Sequence, residues 1–200
     1  MSTTMNIFDI CKRMKAEGFK YGSTTEESCL KELGSGQHQH RSLSFKPAQC
    51  VFLSEITKSY RTCPDNDEED EDEDEELLAI AWYNFIVFEG YHVSEYASTG
   101  LLFAKFDNTR LTSNSDPKFQ VGGAFRLKTE QEYFSAHPHW NAVRAQYAGI
   151  HVDPRVDSAS DIFRGWDVDT VCIWDATAVT EQRWFENAGT PWTYNVPSPQ

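Results

Sequence analysis

Asp169-Thr-Val-Cys-Ile-Trp174 is the stretch that most clearly decides the fold, because it is rich in β-branched residues and Val171 and Ile173 stand at alternate positions. That pattern is typical of a β-strand. Gln49-Cys-Val-Phe-Leu-Ser54 is a compact apolar run of the kind that forms a buried strand. Weaker strand patterns occupy 42–45, 101–106, 122–127 and 150–152. Together these segments predict a sheet with the chain crossing it several times.

A longer apolar run, Leu77-Leu-Ala-Ile-Ala-Trp-Tyr-Asn-Phe-Ile-Val-Phe88, precedes Gly90. Aromatic and β-branched residues dominate it, which favours a long central strand. A buried helix across its first half is the competing interpretation. The three prolines at 191, 197 and 199 predict an irregular tail from residue 190 onward.

Helical periodicity is clearest near the N-terminus. Ile7, Ile10, Cys11 and Met14 recur at helical spacing, which predicts an amphipathic helix over 4–17 that ends at Gly18. Capping-box spacing predicts a second helix over 25–33. Weaker helical patterns cover 129–134, 139–147 and 176–187. The predicted fold is therefore one α+β domain over 1–200, with two N-terminal helices and a mixed or antiparallel sheet.

The run from Asp65 to Glu76 is acidic at eleven of its twelve positions. The whole chain carries a formal net charge of −13, and without these eleven carboxylates it would carry −2. Because a polyacidic stretch repels itself and has nothing to bury, residues 62–76 are predicted to be a disordered loop inserted in the domain.

Three functions are compatible with the acidic run. The residues of the run that are predicted to bind a partner are Asp70, Glu71 and Asp72. It could hold divalent cations loosely, dock on a basic protein, or act as a solvating spacer. The run lacks the Asp-x-Asp-x-Asp-Gly pattern of a calcium loop, which argues against a structured calcium site. Nucleic acid is disfavoured as a partner because the chain has no extended basic cluster.

Histidines and cysteines give no strong metal pattern. His38 and His40, and His137 and His139, are close enough in sequence to chelate, but both pairs fall in predicted loops. His151-Val-Asp153 has the opening spacing of a two-histidine, one-carboxylate iron site, yet no histidine follows it. No metal is therefore expected. Five cysteines without a Cys-x-x-Cys motif are expected to be reduced thiols.

The segment Phe163-Arg-Gly-Trp-Asp167 is the best candidate for a recognition surface. Arg164 and Trp166 are residue types that dominate binding hot spots, and Gly165 would allow a sharp turn that displays them. The competing interpretation pairs Asp167 with Arg164 and leaves Trp166 as a hydrophobic plug over the sheet. That second interpretation is favoured.

No nucleophile elbow or phosphate-binding glycine loop occurs in the chain. Glu130-Gln-Glu132, followed by Tyr133-Phe134, resembles the loop of arginine-specific ADP-ribosyltransferases. This resemblance implies NAD as cofactor and a catalytic set of His40 (or Arg41), Tyr60 and Glu132. The competing interpretation places Glu130 and Glu132 in the first turn of a helix capped by Thr129, and it is favoured.

These patterns predict a non-enzymatic interaction factor, of a viral, immunity or regulatory kind, that binds a protein with a basic surface. The ADP-ribosyltransferase-like enzyme is the alternative. The N-terminus has no secretory pattern and no apolar window is long enough to span a membrane, so a soluble protein of the cytoplasm or another intracellular compartment is expected, without a cofactor.

Overall fold

A computed structural model of the chain describes residues 3–23, 30, 33, 46–47, 49–60, 76–80, 100–127, 137–156, 162–163, 165–166, 168–189 and 193–197. Twelve strands lie in these residues: β1 (Thr4–Asn6), β2 (Tyr21–Ser23), β3 (Val51–Tyr60), β4 (Glu76–Ile80), β5 (Gly100–Phe106), β6 (Leu111–Ser113), β7 (Arg126–Leu127), β8 (His137–Pro138), β9 (Gly149–Val152), β10 (Thr170–Ile173), β11 (Val179–Glu186) and β12 (Thr193–Asn195). Two α-helices accompany them, α1 (Ile7–Ala16) and α2 (Trp140–Arg144).

Seven strands form the main sheet in the order β11-β5-β2-β3-β10-β9-β6, and β4 pairs with the second half of β3. Neighbouring strands are antiparallel except β6 and β9, which run parallel. The sheet is therefore mixed and the fold is of the α+β kind, as the sequence predicts. Two small ribbons, β1 with β12 and β7 with β8, lie outside this sheet.

The two faces of the sheet carry different apolar clusters, because alternate residues of a strand point to opposite sides. Leu53 and Val171 are directly paired on one face, within a cluster that also contains Leu102 and Ala104. Phe52 and Cys172 are paired on the other face, which packs against Trp166 and Phe119. The first face is also the one that carries the polar residues discussed below.

Helix α1 covers part of the second face. Asn6 accepts a hydrogen bond from the backbone N–H of Asp9 at 2.9 Å and so caps the helix. Ile7, Ile10 and Met14 are completely buried, as their spacing predicts, and they pack against Phe103 and Phe185. The first predicted helix is thus present over Ile7–Ala16, whereas Thr4–Asn6, which was predicted as its first turn, forms β1 instead. The second, over 25–33, lies outside the described residues except for Leu30 and Leu33.

Several predicted elements are present in the structure at the predicted positions. Strands β5, β9 and β10 coincide with the predicted strands at 101–106, 150–152 and 169–174, and α2 lies within the predicted helix at 139–147. The strand interpretation also holds for Glu76–Ile80 at the start of the long apolar run. The remainder of that run, the helix over 129–134, the strand over 42–45 and the loop over 62–75 lie outside the described residues.

Two predictions are wrong. The helix over 176–187 is instead a short 3-10 turn at Ala176–Ala178 followed by β11, because pairing with β5 along most of its length outweighs the helical propensity of Glu and Gln. The strand over 122–127 is largely a turn. Gly122 has a φ of +86°, and a Cβ on Gly123 would collide with the Lys118 carbonyl oxygen. Only the two residues of β7 remain extended there.

Five short segments were not predicted as strands. β1, β2 and β6 have three residues each, β8 has two, and β12 lies in the tail predicted to be irregular. Strands this short carry too little periodicity to be read from sequence.

Among the helices that the structure describes, none has the length and apolar character needed to cross a membrane.

Candidate functional site

A cluster of polar side chains lies on the first face of the sheet, and four neighbouring strands contribute to it. Tyr21 of β2 is directly paired with Glu55 of β3. His151 of β9 is paired with Val171 of β10, and Asp169 comes two residues before Val171. Because residues two apart on a strand share a face, all four side chains are delivered to the same side. We call these four residues, with Asp153 and Arg155, the Asp169 cluster.

Asp169 is the centre of this cluster and its side chain is only 8% exposed. One carboxylate oxygen, Oδ1, accepts from the Tyr21 hydroxyl at 3.1 Å and from His151 Nε2 at 2.8 Å. The other oxygen, Oδ2, accepts from the Arg155 guanidinium at 3.0 Å. A carboxylate this buried requires such partners, since an uncompensated charge would be very costly there. Asp169 thereby fixes the positions of three neighbouring side chains at once.

His151 is oriented by this contact. Since Nε2 donates its proton to Asp169, the neutral ring carries its lone pair on Nδ1. No hydrogen bond to Nδ1 occurs among the described residues, and the side chain is 35% exposed. The Tyr21 hydroxyl also lies 3.1 Å from Nε2 and packs its ring edge-on against the imidazole. Asp169 therefore holds the ring of His151 through Nε2, while the side chain as a whole stays partly exposed.

Arg155 is held by a tight turn at the end of β9. Its backbone N–H and side chain Nε both donate to Asp153 Oδ1, at 2.9 and 2.8 Å, and its terminal nitrogen donates to Oδ2 at 3.1 Å. The buried Asn114 side chain exchanges hydrogen bonds with the Asp153 backbone at 2.8 and 3.2 Å, which fixes where the turn begins. The guanidinium is 70% exposed, so a cation stands at the rim of the cluster.

The cluster shifts the proton affinities of its members. Burial, and next the charge of Asp169, raises the pKa of Tyr21 far above its ordinary value, so the phenol keeps its proton and acts as a donor. Burial and Asp169 also raise the pKa of Glu55. The pKa of Asp153 is lowered, chiefly by its hydrogen bonds from Arg155. Perturbed groups gathered on one surface are typical of functional sites, although structural ion pairs share this property.

A second feature concerns the acidic run. Strands β3 and β4 form an antiparallel hairpin whose last pair joins Tyr60 to Glu76, so the fifteen residues between them connect its two strands. Glu76 is the final carboxylate of the acidic run, and Asp65 follows five residues after Tyr60. The other ten carboxylates of the run thus all belong to this single connection, whose two ends are held together.

Most site residues predicted from sequence lie outside the described part of the chain. This holds for His40, Glu132, Arg164, Asp70, Glu71 and Asp72. Tyr60 ends β3, and only its backbone is described. Trp166 is 5% exposed and packs against Phe52 and Phe163, with ring centroids 5.5 and 6.2 Å away. The binding role assigned to Arg164 and Trp166 stays a prediction, as does the convergence of His40, Tyr60 and Glu132.

Sequence reasoning missed most of the Asp169 cluster. His151 and Asp153 were considered only as iron ligands, and Tyr21, Glu55 and Arg155 were not singled out. A signal did exist, because polar residues at 151 and 153 alternate with the apolar Ile150 and Val152. What the sequence could not reveal is that β2, β3 and β10 bring their own polar residues beside that strand.

Within the described residues, no group of three or more His, Cys, Asp or Glu side chains is arranged to hold a metal ion.

An open groove of about 320 Å³ is lined by Leu30, Ala176, Val179, Thr180, Glu181 and Gln182. Its volume is at the lower limit for small-molecule sites. The completely buried Ala104 lies between Gln182 and Tyr21 in the sheet, which separates the groove from the Asp169 cluster.

Comparisons with protein-family models, with curated proteins and with solved structures give no match to this chain.

Proposed function

We propose that the protein is an interaction factor that binds a protein partner with a basic surface, and that the acidic run at residues 65–76 is its docking element. The observation that carries this proposal is the pairing of Tyr60 with Glu76. It fastens both ends of the connection to one hairpin. Ten of the eleven carboxylates lie in sequence between these two paired residues, and Glu76 supplies the eleventh.

The charge distribution indicates the kind of partner. Outside the run the chain has a formal charge of only −2, so the field of the molecule originates mainly at the end of this hairpin. Such a local field attracts lysine- and arginine-rich surfaces over about 8 Å at physiological salt. It accelerates encounter more than it specifies one bound pose. Contacts elsewhere on the protein would then supply specificity.

The test uses two variants that keep the length of the run. In the first, all eleven carboxylates become Asn or Gln; in the second, the twelve residues are shuffled so that charge is kept and order is lost. Binding to a labelled oligolysine peptide is measured by fluorescence anisotropy at low salt. We expect the neutralised variant to bind at least about tenfold more weakly, a loss of about 1.4 kcal/mol, and the shuffled variant to match the natural chain.

Equal affinity of the neutralised and natural chains would overturn the proposal and leave the run as a passive spacer. A loss in the shuffled variant would mean that the order of the carboxylates matters, which contradicts docking by charge alone. Circular dichroism of both variants provides the control for folding.

The ADP-ribosyltransferase-like alternative stays a prediction, since two of its three residues lie outside the described chain. Titration with NAD, followed by tryptophan fluorescence, tests it. Saturable quenching that Glu132→Gln weakens would favour the enzyme, whereas no change in fluorescence at millimolar NAD would argue against it.

A further inference from the structure

The Asp169 cluster has the arrangement that an acid–base site needs, and the docking function above makes no use of it. A general base must be held in one orientation, must expose a lone pair and must be able to accept a proton near neutral pH. His151 meets the first requirement through its 2.8 Å contact with Asp169, and its side chain is 35% exposed. Histidine is the side chain that most often acts as a general base in proteins.

The relation between His151 and Asp169 is that of a base and its orienting carboxylate. In such pairs the carboxylate fixes the tautomer and stabilises the imidazolium that forms when the ring takes a proton. Here the carboxylate binds Nε2, so the working nitrogen is Nδ1. Tyr21 and Arg155 hold Asp169 from two further directions, which restricts its movement as the charge on the ring changes.

The charges of the cluster indicate which substrate it would accept. The groups that act on one another here are the carboxylates of Glu55, Asp153 and Asp169 and the cations of Arg155 and Lys15. Their sum is −1 while His151 is neutral. An anionic substrate would be repelled, whereas an uncharged one would not. The exposed Arg155 guanidinium is the cation of the cluster that would stabilise negative charge developing on a substrate during a reaction.

We propose that His151 is the general base of a hydrolytic site for an uncharged carboxylic ester, with Asp169 as its positioning residue. Nδ1 takes a proton from water while the water oxygen forms a bond to the carbonyl carbon, and the carbonyl electron pair moves onto its oxygen. Arg155 stabilises that oxyanion. When the oxyanion collapses, the bond to the alkoxide breaks and the alkoxide takes the proton from His151. Water and ester become acid and alcohol.

The experiment follows hydrolysis of p-nitrophenyl acetate and p-nitrophenyl butyrate by the full chain, with His151→Gln, Asp169→Asn and His137→Gln compared. His137 is a partly exposed histidine of β8 that belongs to a different ribbon. We expect His151→Gln to lose about 100-fold in kcat, the usual contribution of a general base, and His137→Gln to keep the natural rate.

The Asp169→Asn variant distinguishes a role of Asp169 in positioning His151 from a role only in the stability of the fold. Its expected effect is a loss in kcat with little change in KM, and a changed pH profile, because the ring no longer has a charged partner. If Asp169→Asn fails to fold, Tyr21→Phe removes one support of Asp169 while keeping the ring, and it should reduce kcat by a smaller factor. The rising limb of the pH profile should disappear in His151→Gln.

The proposal is overturned if the natural chain hydrolyses neither ester faster than buffer containing an equal concentration of imidazole. It is also overturned if His151→Gln, shown to be folded by circular dichroism, keeps the natural rate. Neutralising residues 65–76 should not change hydrolysis, so failure of this proposal and failure of the docking proposal give different results.

Discussion

At the scale of single residues, strand pairing holds negatively charged carboxylates close together although they repel one another. Glu55, which lies near Asp169, is an example. It is paired with Tyr21 and lies near Asp169, and both its partial burial and that neighbouring charge favour its protonated form. An ionised Glu55 therefore reduces the stability of the fold. The contribution of Glu55 to the stability of the fold therefore depends on pH.

Because the pKa of Glu55 is raised in the folded protein above its ordinary value of 4.5, the folded state binds the proton more tightly. The contribution of Glu55 to stability is then most favourable at acid pH and is lost as pH rises through that range. We expect Glu55→Gln to raise the free energy of unfolding at pH 7 and to leave it unchanged near pH 3.5. Urea denaturation at the two pH values measures this.

Glu186→Gln, at an exposed position at the end of β11, is the matched control for the general effect of replacing a carboxylate by an amide. A Glu55→Gln variant that is less stable than the natural chain at pH 7 would show that the carboxylate makes a favourable contact there.

At the scale of elements, an aspartate caps each of the three short 3-10 turns that the structure describes. Asp107 and Asp175 each stand two residues before a threonine and accept from both its backbone N–H and its hydroxyl. Asp116 caps a third turn by accepting from the Lys118 backbone. The hydrogen bonds from Thr109 and Thr177 lower the pKa of Asp107 and Asp175.

Groups with a lowered pKa have the opposite pH dependence from Glu55. Asp107, Asp153 and Asp175 contribute stability that is fully present above the ordinary value of 3.8 and is lost as pH falls through their lower folded values. We therefore expect the thermal midpoint to decrease progressively below about pH 4. Asp175→Asn keeps a capping oxygen but cannot titrate, so its midpoint should decrease less steeply with acid than that of the natural chain. An identical slope would contradict this assignment.

Helix α1 gives a sharper element-scale test. Asn6→Ala removes the cap on Asp9 N–H and should cost about 1 kcal/mol in unfolding free energy, whereas Asn6→Ser restores a capping oxygen and should cost a few tenths at most. Chemical denaturation of both variants measures the difference. Equal losses would mean that pairing of Asn6 with Thr193 in the β1–β12 ribbon matters more than the cap.

The elements that could be predicted from sequence are those whose signal is local. Helix α1 has its periodicity and its cap within fourteen residues, and β10 has its β-branched alternation. β11 was predicted as helix because its local propensities are mixed and its partner β5 decides the outcome. The Asp169 cluster could not be predicted for the same reason. Its members lie up to 148 residues apart and meet only through strand pairing.

At the scale of the whole molecule, the chain is a nearly neutral folded domain with one strongly acidic connection. The net charge of −13 would fall to −2 without the run. Carboxylates have no apolar surface to bury in a core, so we expect the fold to tolerate their removal.

We expect replacement of the eleven acidic residues by Asn and Gln to keep the thermal midpoint or to raise it slightly, because self-repulsion falls with net charge. Differential scanning calorimetry at low and at physiological salt measures the effect, which should be largest at low salt. A midpoint well below that of the natural chain at both salt concentrations would show that the run contributes to the fold itself.

The most direct test of the docking proposal is the association rate constant of the natural chain with oligolysine, measured by stopped-flow fluorescence over a range of salt concentrations. Steering by the acidic run predicts that the association rate constant falls steeply as salt rises while the dissociation rate constant changes little. An association rate constant that does not depend on salt would contradict docking through residues 65–76.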